Sequence, residues 1–380
     1  LDNSWTGMTG AQPTPTSPTN LAGQPMKFSL PASLRAHGAT VIEVGAYDRK
    51  GLRAALKTSL ADAANGTFTT IVVQEGVCIQ KVERSTQRVY VDPEVCKKCG
   101  ACLICPGITA GPDGVPAITN MCTGCGGSAP ACVQMCPTGV LKPIDLKDLK
   151  QKSMPEFPVP EIKYKTDELS GKKLPQRLSV SIRGVGGQGN LFFGAVLTQL
   201  AFLAGYDKKN IIKGETHGMA QMGGPVISTF ACGRAASPIF LPGTTDCLIV
   251  MEKSEVLRPD FLALLKPGGT VLMADTTILP LGFPKEKYPA DEQIMSNLKG
   301  YKTILVDVLS KALELGDSSG RVANVVMMGV LSTIEPFDVF PEDAWLEALR
   351  QVNAKPAVWA ANVAAFHAGQ ELASSTKVTA

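Results

Sequence analysis

Eight of the eleven cysteines in this 380-residue chain lie between Cys96 and Cys136, in two groups of four that each close on Cys-Pro. The groups are Cys96, Cys99, Cys102, Cys105-Pro106 and Cys122, Cys125, Cys132, Cys136-Pro137. Thiolates two residues apart on a tight turn can grip adjacent corners of an iron–sulfur cubane. A more distant cysteine, followed by a proline that stops the local helix, supplies the last corner. Cys-x-x-Cys pairs also suit tetrahedral zinc, which leaves a pair of structural zinc sites as the alternative. Zinc does not explain four cysteines packed into ten residues, Cys96 to Cys105, or the paired Cys-Pro endings.

The stretch resembles the bacterial-type two-cluster ferredoxin module, in which the fourth cysteine of each group ligates the other cluster. The resemblance implies Cys96, Cys99, Cys102 and Cys136 around one 4Fe-4S cluster, and Cys122, Cys125, Cys132 and Cys105 around the second. Two spacings depart from the module. Two residues separate Cys102 from Cys105 where three are usual, and the small, Gly-rich run Gly126 to Ala131 lengthens the gap before Cys132. The longer gap reads as an extended loop around the second cluster.

The length suits two or three domains, each able to bury a core. Apolar residues at 44% and charged residues at 19% describe an ordinary globular protein. With 37 Lys plus Arg against 34 Asp plus Glu, the net charge of +3 gives no support to nucleic acid or an anionic membrane as partner. Metal-type cysteine spacing points to a reducing compartment, the cytoplasm by default. No signal peptide is visible, and the most apolar window, Leu191 to Ala204, is short and interrupted by Thr198 and Gln199, so no membrane span is expected. A start on Leu1 inside what reads as a loop suggests part of a longer polypeptide.

The opening Leu1 to Pro15 is polar and rich in Gly and Pro, an ordered loop by composition. It is followed by an expected strand at Thr40 to Val44, a helix at Arg49 to Ala64 and a strand at Thr69 to Gln74, the pattern of a parallel α/β unit. Asp2-Asn3-Ser4-Trp5 running into Met8-Thr9-Gly10-Ala11-Gln12 is similar to the second half of the thiamine diphosphate motif of the 2-oxoacid:ferredoxin oxidoreductases. That resemblance implies that the Asn3 side chain and the Trp5 carbonyl bind the magnesium that clamps the diphosphate. Oxygen donors of this kind suit a hard cation. The first half of the motif, Gly-Asp-Gly, is absent from this sequence, so the resemblance implies half a site. Met8 falls where pyruvate-using relatives carry a polar residue beside the substrate. It either favours a bulkier, aromatic 2-oxoacid or fills a gap in the core. Residues 1–85 are thus expected to be the C-terminal part of a thiamine-binding α/β domain and 86–141 a two-cluster ferredoxin domain. Cys78 reads as a buried apolar thiol.

Residues 142–176 carry five prolines, Pro143, Pro155, Pro158, Pro160 and Pro175, and read as a linker. A further α/β domain is expected over 177–373. It opens on a strand, Leu178 to Ile182, a turn containing Gly184, Gly186, Gly187 and Gly189, and an apolar helix from Leu191. Backbone amides at such a helix start favour an anion, but the turn alone is a weak signal for a dinucleotide, and Asp207 is the one acid near the distance of a ribose ligand. The run from Gly214 through His217 and Met222 to Gly224, then a strand at Val226 to Ala231, looks like the γ domain of the same oxidoreductase family, in particular its branch acting on indolepyruvate and other arylpyruvates. Relatives carry an arginine at the position of Met222. His217 is either catalytic or a hydrogen-bonded structural residue. Further strands are expected at Cys247 to Met251, Thr270 to Ala274 and Thr303 to Val306. Helices are expected near Glu255 to Leu265, Arg321 to Thr333, Pro341 to Gln351 and Pro356 to Leu372. Cys232 and Cys247 read as structural, Trp345 and Trp359 as packing residues.

Taken together, the resemblance implies an α/β protein in three parts: the end of a thiamine domain, a two-cluster ferredoxin module and a γ-type domain. The implied reaction is oxidative decarboxylation of a 2-oxoacid to an acyl-CoA, with two 4Fe-4S clusters, thiamine diphosphate with magnesium, and CoA as co-substrate. The implied partners are the remaining thiamine- and pyrimidine-binding domains, ferredoxin or a similar acceptor, and an oligomeric assembly. Two other classes stay open. One is an electron-transfer subunit whose α/β domain binds NAD or flavin, the other a zinc-stabilised interaction scaffold.

Overall fold

The computed structural model describes the chain except for residues 8–11, 27, 79–80, 83–84, 106, 112–113, 119–121, 126–128, 146–147, 149–154, 156, 159–160, 163, 165–173, 217–223, 280–286, 317–319, 354, 376–377 and 380. It divides into two compact units, Leu1–Lys150 and Gln151–Ala380.

In the first unit, β1 (Trp5–Thr6) pairs with β2 (Gln12–Pro13). Helix α1 (Leu30–Ala36) starts at Ser29, whose hydroxyl accepts from Ala32 N at 3.2 Å. The expected strand, helix and strand then follow as β3 (Thr40–Gly45), α2 (Arg49–Ala64) and β4 (Thr69–Gln74). Asp48 caps α2 through Gly51 N at 2.8 Å. The two strands pair in parallel from Thr40 opposite Thr69 to Gly45 opposite Gln74. Between β5 (Gln87–Val91) and its antiparallel partner β8 (Leu141–Asp145) lie the hairpin β6 (Ile108–Ala110) and β7 (Pro116–Ile118), and helix α3 (Ala131–Met135). Lys142–Asp145, linker by composition, is therefore paired as strand. Pro143 is tolerated because a two-stranded ribbon leaves one side of each strand without a ladder. Val89, Val91, Ile108 and Leu141 form a small core together with two of the cysteines, Cys102 and Cys132.

The second unit is built on a seven-stranded sheet. Its strands are β9 (Arg177–Val185), β10 (Ile211–Thr216), β11 (Pro225–Gly233), β12 (Thr245–Val250), β13 (Leu265–Ala274), β14 (Lys302–Val306) and β15 (Val378–Thr379), in the order β10-β11-β9-β12-β13-β14-β15. β9, β12, β13 and β14 run parallel, while β11 is antiparallel to both β9 and β10, and β15 to β14. All six residues of β12 are buried, as parallel strands covered on both faces require. One face carries α4 (Asn190–Leu203), α6 (Val308–Glu314), α7 (Ala323–Leu331), α8 (Glu342–Val352) and α9 (Pro356–Ser375). The other carries a smaller core around Val256, Phe261 and Ile294, the last on α5 (Asp291–Asn297). Trp345 is fully buried, 6.4 Å from Phe340 and 6.0 Å from Phe366 between ring centres, and Trp359 is buried too.

One expected helix is corrected. Glu255 to Leu265 is not a helix but two 3-10 turns, Lys253–Leu257 and Leu262–Leu264. Pro259 forces Arg258 into an extended conformation (ψ 136), and Asp260 takes a left-handed φ of 61, so no helix can run through.

Candidate functional site

The cysteine loops are set by close approaches that only glycine allows. Gly107, two residues after Cys105, lies against Cys122 so tightly that a Cβ would stand 2.9 Å from the Cys122 Cα. This contact carries Cys105 away from its sequence neighbours and over to the second group. Gly124, at φ 64, lies where a Cβ would come 2.1 Å from the Gln87 carbonyl oxygen, which seats the Cys122–Cys125 loop on the start of β5. Helix α3 then presents the buried Cys132 from its first turn and ends at Cys136.

The thiols fall into two electrostatic neighbourhoods. Burial raises the pKa of Cys102, and the charges of Cys136, Cys96 and Cys99 add to the shift. Burial likewise raises Cys105, with Cys122 adding to it, and Cys125, with Cys105 and Cys122 adding. Cys132 is pushed up to about 11 by burial, then by Cys105, Cys125 and Cys122. The structure thus brings Cys96, Cys99, Cys102 and Cys136 together, and separately Cys105, Cys122, Cys125 and Cys132, with Cys105 and Cys136 exchanged between the sequence groups. Cys102, Cys105, Cys125 and Cys132 thus resist negative charge in the absence of a cation. Backbone amides already point at several sulfurs: Lys98 N lies 3.4 Å from Cys96 Sγ, and Gly107 and Ile108 donate to Cys105. At Cys136 burial opposes ionisation. It is outweighed by the Thr138 hydroxyl and the amides of Leu141, Thr138 and Val140, which bring the thiol down to about 7. Among the described residues, no three His, Cys, Asp or Glu side chains converge on a point that would hold a single ion.

Asn3 is exposed, and its Oδ1 accepts from Trp5 N at 3.3 Å. Pro13 stands opposite Trp5 and has no N–H, so the β1–β2 pair takes no bond from the Trp5 carbonyl. Lys81 Nζ sits 4.5 Å from the centre of the Trp5 ring. The loop is anchored at the carboxyl end of the β3–β4 pair, where Asp2 N donates to Val73 O (2.8 Å) and Cys78 N to Asn3 O (3.0 Å). Met8 lies outside the described residues.

In the second unit the glycine turn joins β9 to α4. Gly187 (φ 102) and Gly189 (φ 77) adopt backbone conformations open to glycine, and at Gly189 a Cβ would meet Asn324 Nδ2 at 2.2 Å. Gln188 ties the turn to the end of β12: its Oε1 accepts from Val185 N (2.8 Å) and its Nε2 donates to Met251 O (2.6 Å). Gly186 N donates to Gly224 O (2.8 Å). The start of α4 has no side-chain cap. Beside it, the buried Asn190 amide has no partner for either terminal atom among the described residues, and neither has Asn324 Oδ1. This is a polar cradle at a helix N-terminus, with signals in buried asparagines that the glycine spacing did not reveal. Asp207 lies beyond the far end of the 14-residue α4, about 20 Å along its axis, and is paired with Lys209 at 3.2 Å. It cannot serve as a ribose ligand at this turn. His217 and Met222 lie outside the described residues. Cys232, pushed up to about 12 by burial, and the fully buried Cys247 are inert packing thiols.

Residues 179–372 match the sequence pattern of the pyruvate ferredoxin/flavodoxin oxidoreductase family. The chain belongs to that family. Among similar proteins is the indolepyruvate oxidoreductase subunit IorB of Archaeoglobus fulgidus, 32% identical over 159 residues, which span 41% of this chain and 76% of that protein. IorB of Thermococcus kodakarensis is 29% identical over 201 residues, 51% of this chain and 95% of that one. A solved structure, the gamma subunit of a keto/oxoacid ferredoxin oxidoreductase from Geobacter sulfurreducens, aligns over 53% of this chain and 99% of its own at 23% identity, with a TM-score of 0.39. The family match lies within the second unit, so the cysteine quartets and the Asn3–Trp5 loop stand on their own residues. The described part holds no helix long and apolar enough to cross a membrane.

Proposed function

We propose that this chain is the iron–sulfur part of a thiamine diphosphate-dependent 2-oxoacid:ferredoxin oxidoreductase that converts an arylpyruvate such as indolepyruvate to its acyl-CoA. Cys96, Cys99, Cys102 and Cys136 would hold one 4Fe-4S cluster and Cys105, Cys122, Cys125 and Cys132 a second, which would supply electron transfer to ferredoxin or a similar acceptor. The observation that carries this reading is the sorting of eight thiols into two quartets that exchange Cys105 and Cys136, on a chain whose second unit belongs to the oxidoreductase family. The donor set fits the group: all ligands are thiols, Cys102 and Cys132 are buried, and amide N–H groups are aimed at the sulfurs of Cys96, Cys105 and Cys136. When bound, the clusters supply one-electron acceptance, which the two-electron oxidation of a decarboxylated 2-oxoacid requires.

Each part of the chain then has a role. Residues 1–85 end a thiamine-binding domain, with Asn3 Oδ1 and the Trp5 carbonyl as oxygen donors to magnesium. Met8, apolar where pyruvate-using relatives are polar, favours a bulkier 2-oxoacid. Residues 86–141 with the rest of β8 hold the clusters, the remainder of 142–176 forms the connection, and 177–373 form the γ-type domain. There the glycine turn, Gly184 to Gly189, with Asn190 and Asn324 holds phosphate of CoA at the start of α4. His217 is the candidate catalytic residue of this domain. The remaining thiamine- and pyrimidine-binding domains complete the active site, in an oligomer working in a reducing compartment.

Anaerobic metal and cofactor analysis of the native complex tests the proposal. About eight irons per chain together with thiamine diphosphate are expected. Iron without thiamine would leave a plain electron-transfer subunit, and zinc in place of iron would overturn the reading.

A further inference from the structure

Two hydrogen bonds of opposite sense tie the β3–α2 loop to α3. Gln134 Nε2 donates to Tyr47 O at 2.8 Å, and Arg49 Nη1 donates to Gln134 O at 3.0 Å. A further bond from Gln134 Nε2 to Ala129 O, at 2.6 Å, holds the amide in place. Gln134 stands between the quartets in sequence, two residues after Cys132 and two before Cys136. Negative charge at the cysteines reaches this loop: burial and then the charge of Cys125 raise the Tyr47 phenol. Two residues on, Arg49 is exposed, and among the described residues its guanidinium has no carboxylate partner. The nearby acids face other groups. Asp48 Oδ1 accepts from Gly51 N at 2.8 Å, Glu43 pairs with Arg35 at 2.7 Å, and Glu75 lies against Gly45.

We propose that Arg49 is the counter-charge of the cysteine centres and raises the reduction potential of at least one of them. This rests on the iron–sulfur reading given above. A 4Fe-4S centre held by four thiolates is anionic, an added electron makes it more so, and net charge is among the factors that set its potential. The guanidinium stays charged at any working pH. Seated on the Gln134 carbonyl in the last turn of α3, it stabilises the reduced centre more than the oxidised one. Asp48, the nearest acid in sequence, is drawn to the start of α2 and offsets this only in part. In the uptake step one electron leaves the decarboxylated 2-oxoacid and enters the centre; no bond is made or broken at Arg49 and no proton moves there. The hydrogen bond to Gln134 positions the charge, and the charge shifts the potential.

The test is a redox titration of the native complex at low ionic strength, followed by electron paramagnetic resonance, beside complexes carrying Arg49→Gln, Arg49→Lys or Lys57→Gln. Arg49→Gln keeps a donor for the Gln134 carbonyl and removes the charge. It is expected to lower one midpoint potential by about 30 mV, a roughly threefold loss in the one-electron equilibrium at about 59 mV per tenfold. The gap narrows as salt rises. Arg49→Lys keeps the charge and is expected to hold that equilibrium within about 1.5-fold of the unaltered complex. Lys57→Gln, the same loss of charge on the exposed side of α2, is expected to do likewise. Unchanged midpoints in Arg49→Gln, or an equal fall in Lys57→Gln, would overturn the proposal. So would an equal fall in Arg49→Lys, which would mark the geometry of the arginine contact and not its charge as the cause. Absence of cluster signals from the unaltered complex would instead remove the iron–sulfur reading on which it rests.

Discussion

At Gly189 the backbone sits at φ 77 with Asn324 Nδ2 in the place of a Cβ, so Gly189→Ala combines a left-handed penalty with a clash. A loss of about 2 kcal/mol is expected in urea unfolding. Tyr288 donates to the buried Glu252 Oε1 at 2.5 Å, and burial followed by this bond pushes its phenol up to about 12 from 10.0. The unfolded chain ionises first as pH rises past 10, so the stability due to Tyr288 is complete below about pH 10 and is lost on the way to about 12. Tyr288→Phe should therefore weaken the protein at neutral pH by about 1–2 kcal/mol and make the alkaline fall in melting temperature shallower. Among the cysteines, Cys132→Ser is expected to lower iron by well over half, because it removes a buried ligand of one quartet and loosens the loop that gives Cys136 to the other. Cys78→Ser, at a buried thiol outside both quartets, should leave the iron content unchanged in colorimetric analysis.

At the scale of elements, α7 and α9 meet through Gly329 and Gly369. A Cβ on Gly369 would stand 2.0 Å from the Val326 carbonyl oxygen, and one on Gly329 2.0 Å from that of Phe366. Helix propensity alone favours Gly369→Ala by about 1 kcal/mol. The backbone contact outweighs it, and a net loss of about 2 kcal/mol is expected in thermal unfolding. Here the sequence is silent, because a glycine inside a helix looks the same whether it faces water or another backbone. Elements with strong apolar periodicity were legible: α2, α4, α8, α9 and the parallel strands lie where their patterns put them. The stretch after β12 has the apolar spacing of a helix, and Pro259 breaks it. The β10 strand was missed because Ile211–Thr216 mixes Lys213, Gly214 and Glu215 into a short edge strand. At the candidate site the cysteine spacing was legible as two groups. The unsatisfied amide of Asn190 and Oδ1 of Asn324 were not, since their burial depends on residues more than a hundred positions apart in sequence.

At the scale of the whole molecule, the two units are stabilised by different means. The second has extensive apolar cores on both faces of its sheet. In the first, the core around β5 and β8 includes Cys102 and Cys132, with Cys96, Cys122 and Cys136 packed against it, so the residues that would bind metal are also the residues that fill the interior. Removing iron by anaerobic chelation should therefore unfold the cysteine region while the second unit keeps its own melting transition. Calorimetry of the holo and stripped proteins checks this, with a single transition lost and the other unmoved within a few degrees.

The exchange of Cys105 and Cys136 has one more outcome. Each sequence group gives one cysteine to the opposite quartet, so the backbone laces the two centres together like a bootlace through paired eyelets. In the proposed holoprotein, oxygen that dismantles one cube slackens the loop that holds a corner of the other. Damage should then be all or none, and partially depleted preparations should be mixtures of full and empty molecules rather than molecules carrying a single cluster.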